Sequence, residues 1–177
     1  MNIRLMFFLI MLPFFTEANE YSPEIHYKLQ WQDNNDVINN VDIFLAGNEI
    51  DAKAMSGGSN VNQWSLKDYV SACDLDIILD IIPESFEAID LFNDGNKVVL
   101  FAYKIGCVGG IDPVDVKYFA FYKGIKYALR GKEMFIGSSG VDENYTPPTP
   151  NKNLKHNECL LTYMQKKWPS MAVRVMF

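Results

Sequence analysis

The sequence predicts an α+β fold, a mainly antiparallel β meander with one C-terminal helix. Three observations predict it. Apolar and polar side chains alternate with a period of two through several short segments, the mark of half-buried strands. β-branched and aromatic residues flank a turn at Lys123-Gly124, as in a β-hairpin. Near the C-terminal end, Leu160, Leu161, Met164 and Trp168 recur at helical spacing. With 177 residues, 49% of them hydrophobic and 21% charged, the chain can build one domain's core and lacks the composition of disorder.

The first segment is not read as part of that domain. Met1-Asn2-Ile3-Arg4 carries one positive charge, Leu5 to Phe15 is apolar apart from Pro13, and Thr16-Glu17-Ala18 follows. A basic start, a short apolar centre and a small residue before a polar stretch are the parts of a secretory signal peptide. The apolar run is too short to cross a bilayer, which takes about 20 residues. A buried N-terminal helix is the other reading, but the chain turns abruptly polar after Ala18 (Asn19-Glu20-Tyr21-Ser22-Pro23). The expectation is a signal peptide over residues 1–18, cleaved after Ala18, and a single globular domain over 19–177 without a membrane span, placed in the periplasm or secreted.

Along that domain, Ile25 to Trp31 alternates as a half-buried strand. Asp33-Asn34-Asn35-Asp36 is turn chemistry, because Asn and Asp bond their own backbone and tolerate turn dihedrals. Val41 to Leu45 is the returning strand, and Asn48 to Asn62, small, polar and Gly-containing, reads as a loop. In the next strand Leu75, Ile77, Leu79 and Ile81 share one face, with Asp74, Asp76 and Asp80 on the other. Lys97 to Ile105 is a further strand, followed by the hairpin of Val116–Tyr122 and Ile125–Leu129. Gly137 to Asn153 holds two glycines and three prolines and reads as a long loop. The helix comes last, with Pro169 as its stop.

The formal net charge of −6, from 22 acidic against 16 basic residues, argues against nucleic acid or anionic lipid as a partner. Three cysteines remain in the domain: Cys73, Cys107 and Cys159. An oxidising compartment favours one disulfide and leaves one thiol. Cys73–Cys107 is the favoured pair, because both lie beside strand-like segments and close a loop of moderate length, which would contribute roughly 3–4 kcal/mol. Cys159 falls in the helical pattern, where a free cysteine usually acts as a small hydrophobe. His156, three residues earlier, could share its helical side, but no third group is evident to orient a nucleophile–base pair.

Catalytic signatures are sparse. The two histidines, His26 and His156, belong to no spaced metal motif, and Gly137-Ser138-Ser139-Gly140 is not a nucleophile elbow. Asp90-Leu91-Phe92-Asn93-Asp94-Gly95 resembles the opening of a calcium loop, with Asp90 and Asp94 as ligands. Phe92, Val98 and Phe101, however, stand where further oxygens are needed. An Asn-Asp-Gly hairpin turn accounts for the same residues without metal. No cofactor is implied. Lys126, Tyr127 and Arg130 form the candidate binding patch: the two cations suit a carboxylate or phosphate of an acidic glycan, and Tyr127 a sugar face. The plainer reading is an Arg paired with an Asp and a Tyr packed in the core.

An ordered series runs from Cys73-Asp74-Leu75-Asp76-Ile77 through Ile89-Asp90-Leu91, Asp94-Gly95, Tyr103 and Cys107. It continues through Asp112-Pro113-Val114-Asp115-Val116-Lys117 to Lys126-Tyr127-Ala128-Leu129-Arg130-Gly131. Over this middle third the chain resembles a family of secreted bacterial proteins associated with surface-polysaccharide biosynthesis. Leu161 to Trp168 would suit that family's C-terminal helix. The chain departs from the family pattern at Gly109-Gly110-Ile111-Asp112-Pro113 and in a less acidic turn at Asp90 to Asp94. The resemblance implies a secreted location, a Cys73–Cys107 pair and a link to envelope polysaccharide, and it carries over no catalytic residue. The expected function is a non-enzymatic periplasmic or secreted protein that binds envelope polysaccharide or a protein partner. The alternative is a periplasmic immunity-type inhibitor of a toxin or hydrolase, acting through a complementary charged face. A hydrolase using carboxylates among Asp74, Asp76, Asp80 and Asp90 is the third class.

Overall fold

A computed structural model describes residues 24–33, 36–57, 62–137, 140–141 and 145–175. The expected signal peptide, its cleavage point, Asn34-Asn35 and Ser138-Ser139 lie outside the described residues. The strands are β1 (Ile25–Gln32), β2 (Ile38–Ala46), β3 (Glu49–Ser56), β4 (Asn62–Tyr69), β5 (Asp76–Ile89), β6 (Val98–Val108), β7 (Asp115–Tyr122) and β8 (Ile125–Lys132). Short strands follow, β9 (Met134–Gly137), β10 (Gly140–Val141) and β11 (Thr149–Pro150), then the helices α1 (Lys152–Lys155) and α2 (Glu158–Ala172), and β12 (Val173–Val175).

These elements make three layers. An antiparallel sheet, β1-β2-β3-β4, packs on one face of a five-stranded antiparallel sheet, β11-β8-β7-β6-β5, and α2 covers the other face. A third small sheet, β10-β9-β12, pairs β12 parallel with β9. The α+β architecture with its antiparallel meander is therefore as the sequence predicts.

The alternation of side chains explains the two cores. Val41, Ile43 and Leu45 of β2 and Ile50, Ala52 and Ala54 of β3 point into the space between the sheets, where they meet Phe101, Tyr103, Phe119 and Phe121. The opposite faces of the same central strands, with Leu100, Ala102, Tyr118, Ala120 and Leu129, bury Leu160, Met164 and Trp168 of α2. Because β6 is covered on both sides, Val98 to Tyr103 is buried at every position, so a run of apolar residues replaces alternation there.

Four expectations need correction. Asn48 to Asn62 is not a loop: β3 is an inner strand of the first sheet, paired along its length with β2 and β4. Leu75 and Ile77 do not join the core face. They are 60% and 44% exposed, and only Leu79 and Ile81 reach the inter-sheet core. Gly137 to Asn153 contains β10, β11 and the start of α1. Pro169 lies inside α2, which runs on through Ala172 because Trp168, Met171 and Ala172 are all buried against the sheet. The last turn closes with the Val173 N–H donating to the Pro169 carbonyl. Asn157 caps the other end, its side chain accepting from the Leu160 N–H.

One irregularity is stabilised by a side chain. The β5–β6 register jumps between Ile82 and Glu87, around Pro83, which has no N–H for the ladder. The Ser85 hydroxyl fills the gap: it accepts from the Ala102 N–H at 2.6 Å and donates to the Ile82 carbonyl at 2.6 Å.

Candidate functional site

β8 positions the predicted patch, and its pleat divides it. Successive strand residues point to opposite faces, so Lys126, Ala128 and Arg130 face the first sheet while Tyr127 and Leu129 face α2. Tyr127 is 7% exposed within the helix-side core. It cannot offer a stacking face beside Lys126 and Arg130, and the plainer reading of a tyrosine packed in the core is the correct one for this residue.

Arg130 has no Asp partner among the described residues. β4 is the edge of the first sheet and lies over β6 and β7. Trp64 stacks on Phe121 with ring centroids 3.7 Å apart, and Asp68 accepts hydrogen bonds from Tyr103 and Lys117. β8 therefore stands beyond the edge as a ledge. On it the Lys126 ammonium and the Arg130 guanidinium both lie over the Phe119 ring, 5.8 and 5.2 Å from its centroid. Among the described residues, no carboxylate forms an ion pair with Lys126, Arg130 or Lys132. Arg130 and Lys132 line a shallow groove of about 360 Å³ with Lys117, Asp115, Thr146, Pro147 and Thr149. Asp115 faces Lys132 across the β7–β8 pair, and Lys117 is held by Asp68 at 2.6 Å.

A second concavity opens at one end of the sandwich. A cleft of about 340 Å³ lies between the β1–β2 and β4 ends of the first sheet and the β5–β6 and β7–β8 connections of the second. Val99 and Phe121 belong to its buried lining, and Trp31 and Trp64 contribute from the first sheet. Its polar lining includes an amide chain: Gln63 donates to Asn39, which donates to Asp33 and to the Val37 carbonyl. On the opposite side Asp94 accepts from Lys123 and Tyr122, each at 2.7 Å. Those two hydrogen bonds, Lys123 foremost, hold its carboxyl well below the usual range. None of the cleft's aromatic or amide side chains stood out in the sequence, because their convergence depends on strand register.

The loop at Asp90 to Gly95 is a turn closed by its own donors. Asp90 accepts from the backbone N–H groups of Asp94 and Gly95, and Asp94 accepts from Asn96 as well as from Lys123 and Tyr122. Both carboxylates that would ligate calcium are thus engaged by hydrogen-bond donors. No group of three or more His, Cys, Asp or Glu side chains suited to a metal ion occurs among the described residues.

Cys73 and Cys107 form a disulfide with a sequence separation of 34, and Cys159 is a free, exposed thiol. His156 is not on the same helix as Cys159. It caps the end of α1, where its Nδ1 meets the Lys152 carbonyl at 2.7 Å, so the two share no helical face. Asp74, Asp76 and Asp80 are exposed on or beside the edge strand β5, and Asp90 follows its far end. A paired acid and base act within about 5–10 Å of each other, so Asp90, at the other end of a fourteen-residue strand, cannot pair with Asp74, Asp76 or Asp80. Among the described residues, no helix is long and apolar enough to cross a membrane. Comparison with protein-family models, curated proteins and solved structures finds no match to this chain. The family resemblance drawn from the sequence has no support from these comparisons.

Proposed function

We propose that this is a non-enzymatic protein of the periplasm or the secreted fraction that binds an acidic glycan of the cell envelope along the β8 ledge. The observation that carries the reading is the pair Lys126 and Arg130, exposed side by side over Phe119 without a carboxylate partner among the described residues. An Arg guanidinium matches a carboxylate or phosphate through two parallel hydrogen bonds, and Lys adds a point charge. The Cys73–Cys107 disulfide is compatible with an oxidising compartment. The signal-peptide pattern of residues 1–18 and the resemblance to the polysaccharide-associated family supply the location and the link to envelope polysaccharide.

The test is binding of polygalacturonate, with neutral dextran as control, at low and high salt. Polygalacturonate should bind, weaken with salt, and lose at least about tenfold in affinity on Arg130→Ala combined with Lys126→Ala. Equal affinity for dextran, or no change in the double variant, would overturn the proposal.

A second reading has its own observation. Asp74, Asp76, Asp80 and Glu84 are exposed on or just before β5 without an ion pair among the described residues, and Leu75 and Ile77 are exposed on the other face of the strand. An acidic face on an edge strand suits the basic surface of a toxin or hydrolase, as an immunity-type inhibitor would need. Affinity capture from envelope fractions separates the two readings. A single stoichiometric protein, released by salt and lost on Asp76→Asn with Asp80→Asn, would favour the inhibitor.

A further inference from the structure

The inter-sheet cleft carries an inference of its own. It combines two tryptophans with planar amides in a space of about 340 Å³, near the small end of the roughly 300–1,000 Å³ range of ligand sites. Both tryptophans are half-buried, and among the described residues neither indole N–H has a hydrogen-bond partner. The Gln63 amide is used only as a donor, to Asn39, and the Asn96 amide only as a donor, to the Asp94 carbonyl, so both amide oxygens are unused among the described residues. Among the described residues Lys97 is the cleft cation without an ion pair, since Lys123 is taken by Asp94. The cleft therefore offers aromatic surface, two indole donors, two amide acceptors and one ammonium.

A pyranose ring has matching chemistry. Its axial C–H bonds make an apolar face that aromatic rings cover, and its rim of hydroxyls both donates and accepts. A purely apolar ligand would leave the amides and Lys97 desolvated without partners, which is unfavourable. A cationic ligand would meet two ammonium groups, Lys97 and Lys123, against the single lining carboxylate among the described residues, Asp33, which already accepts from Asn39. We propose that the cleft binds one pyranose unit of a glycan, with Trp31 and Trp64 against the ring and Gln63, Asn96 and Lys97 on its hydroxyls. This site is separate from the β8 ledge and does not depend on it.

The test is a titration of the whole protein with cellohexaose, maltohexaose, chitohexaose and oligogalacturonate, read by intrinsic tryptophan fluorescence and calorimetry. At least one should bind with a dissociation constant of about 1 mM or tighter. Trp31→Ala should weaken it at least about tenfold, and Asn96→Ala, a loop variant outside the core, by about threefold to tenfold. Thermal melts of each variant establish that it is folded. For the three neutral oligomers, Arg130→Ala should leave binding unchanged and affinity should not depend on salt; oligogalacturonate counts for the cleft only where Trp31→Ala weakens it, so the ledge can fail while the cleft holds. Absence of binding by all four probes, or full affinity in both Trp31→Ala and Asn96→Ala, would overturn the proposal.

Discussion

Single side chains connect the layers, and two of them give direct tests. Ser85 is 1% exposed and is the partner of the Ala102 N–H where the β5–β6 ladder breaks. Ser85→Ala leaves that buried donor without its acceptor, and should destabilise the protein by about 1–3 kcal/mol in urea denaturation. Asp68 of β4 reaches across to Tyr103 and Lys117 of the second sheet, at 2.7 and 2.6 Å. Burial opposes its ionisation, but the hydrogen bonds from Lys117 and Tyr103 and the Lys117 charge outweigh it, so its carboxyl lies below the ordinary value. A carboxyl depressed in the folded state contributes stability above its unfolded value, near 4, and that contribution disappears as pH falls through the folded value. Asp68→Asn should therefore lower stability by about 1.5 kcal/mol at pH 7 and leave a shallower loss of stability on acidification below pH 4. Denaturation curves at pH 7 and pH 3 for both proteins check the sign.

At the scale of elements, the seat of α2 on β8 explains the last residue of the Lys126 to Gly131 block. A Cβ at Gly131 would stand 2.9 Å from Trp168 Cζ2 and 3.2 Å from Pro148 Cα, so the helix and the β11 segment close over a bare backbone. Gly131→Ala should destabilise by about 1–3 kcal/mol through overpacking. Adding Trp168→Phe should recover part of the loss, a coupling that a double-mutant cycle measures. The β7–β8 hairpin was legible in the sequence because its turn chemistry is local: Lys123 and Gly124 both take positive φ, 50° and 73°, as a two-residue hairpin turn requires. β3 was not legible. Its core-facing positions after Ile50 are the alanines at 52 and 54, whose small side chains give a weak alternation that the neighbouring glycines and asparagines obscure. The length of α2 was misread for a related reason, since burial of Met171 and Ala172 outweighs the local stop signal of Pro169. The division of the candidate patch lay within reach of the sequence: period-two alternation alone puts Tyr127 opposite Lys126 and Arg130.

For the molecule as a whole, charge is sorted along the five-stranded sheet. The edge strand β5 carries exposed Asp76, Asp80 and Glu84, while β8, toward the other side of the sheet, carries Lys126, Arg130 and Lys132. A net charge of −6 therefore conceals a strand with three exposed cations, which composition alone could not show. The cleft was hidden for a different reason. Trp31 and Trp64 line one cleft only because the first sheet folds as a meander and then lies over the second, so no local spacing records that they share it.

The disulfide has a mechanical consequence. Cys73 and Cys107 enclose nearly all of β5 and β6, and their Cα atoms are 5.6 Å apart. Tension applied at the two ends of the domain passes through the sulfur bridge and bypasses this hairpin. The enclosed chain cannot pay out while the bridge is intact, even after every strand around it has been pulled apart. Single-molecule stretching should give a total extension shorter by roughly 11 nm in the oxidised protein than in the reduced one, at about 3.4 Å for each of the 34 residues shielded.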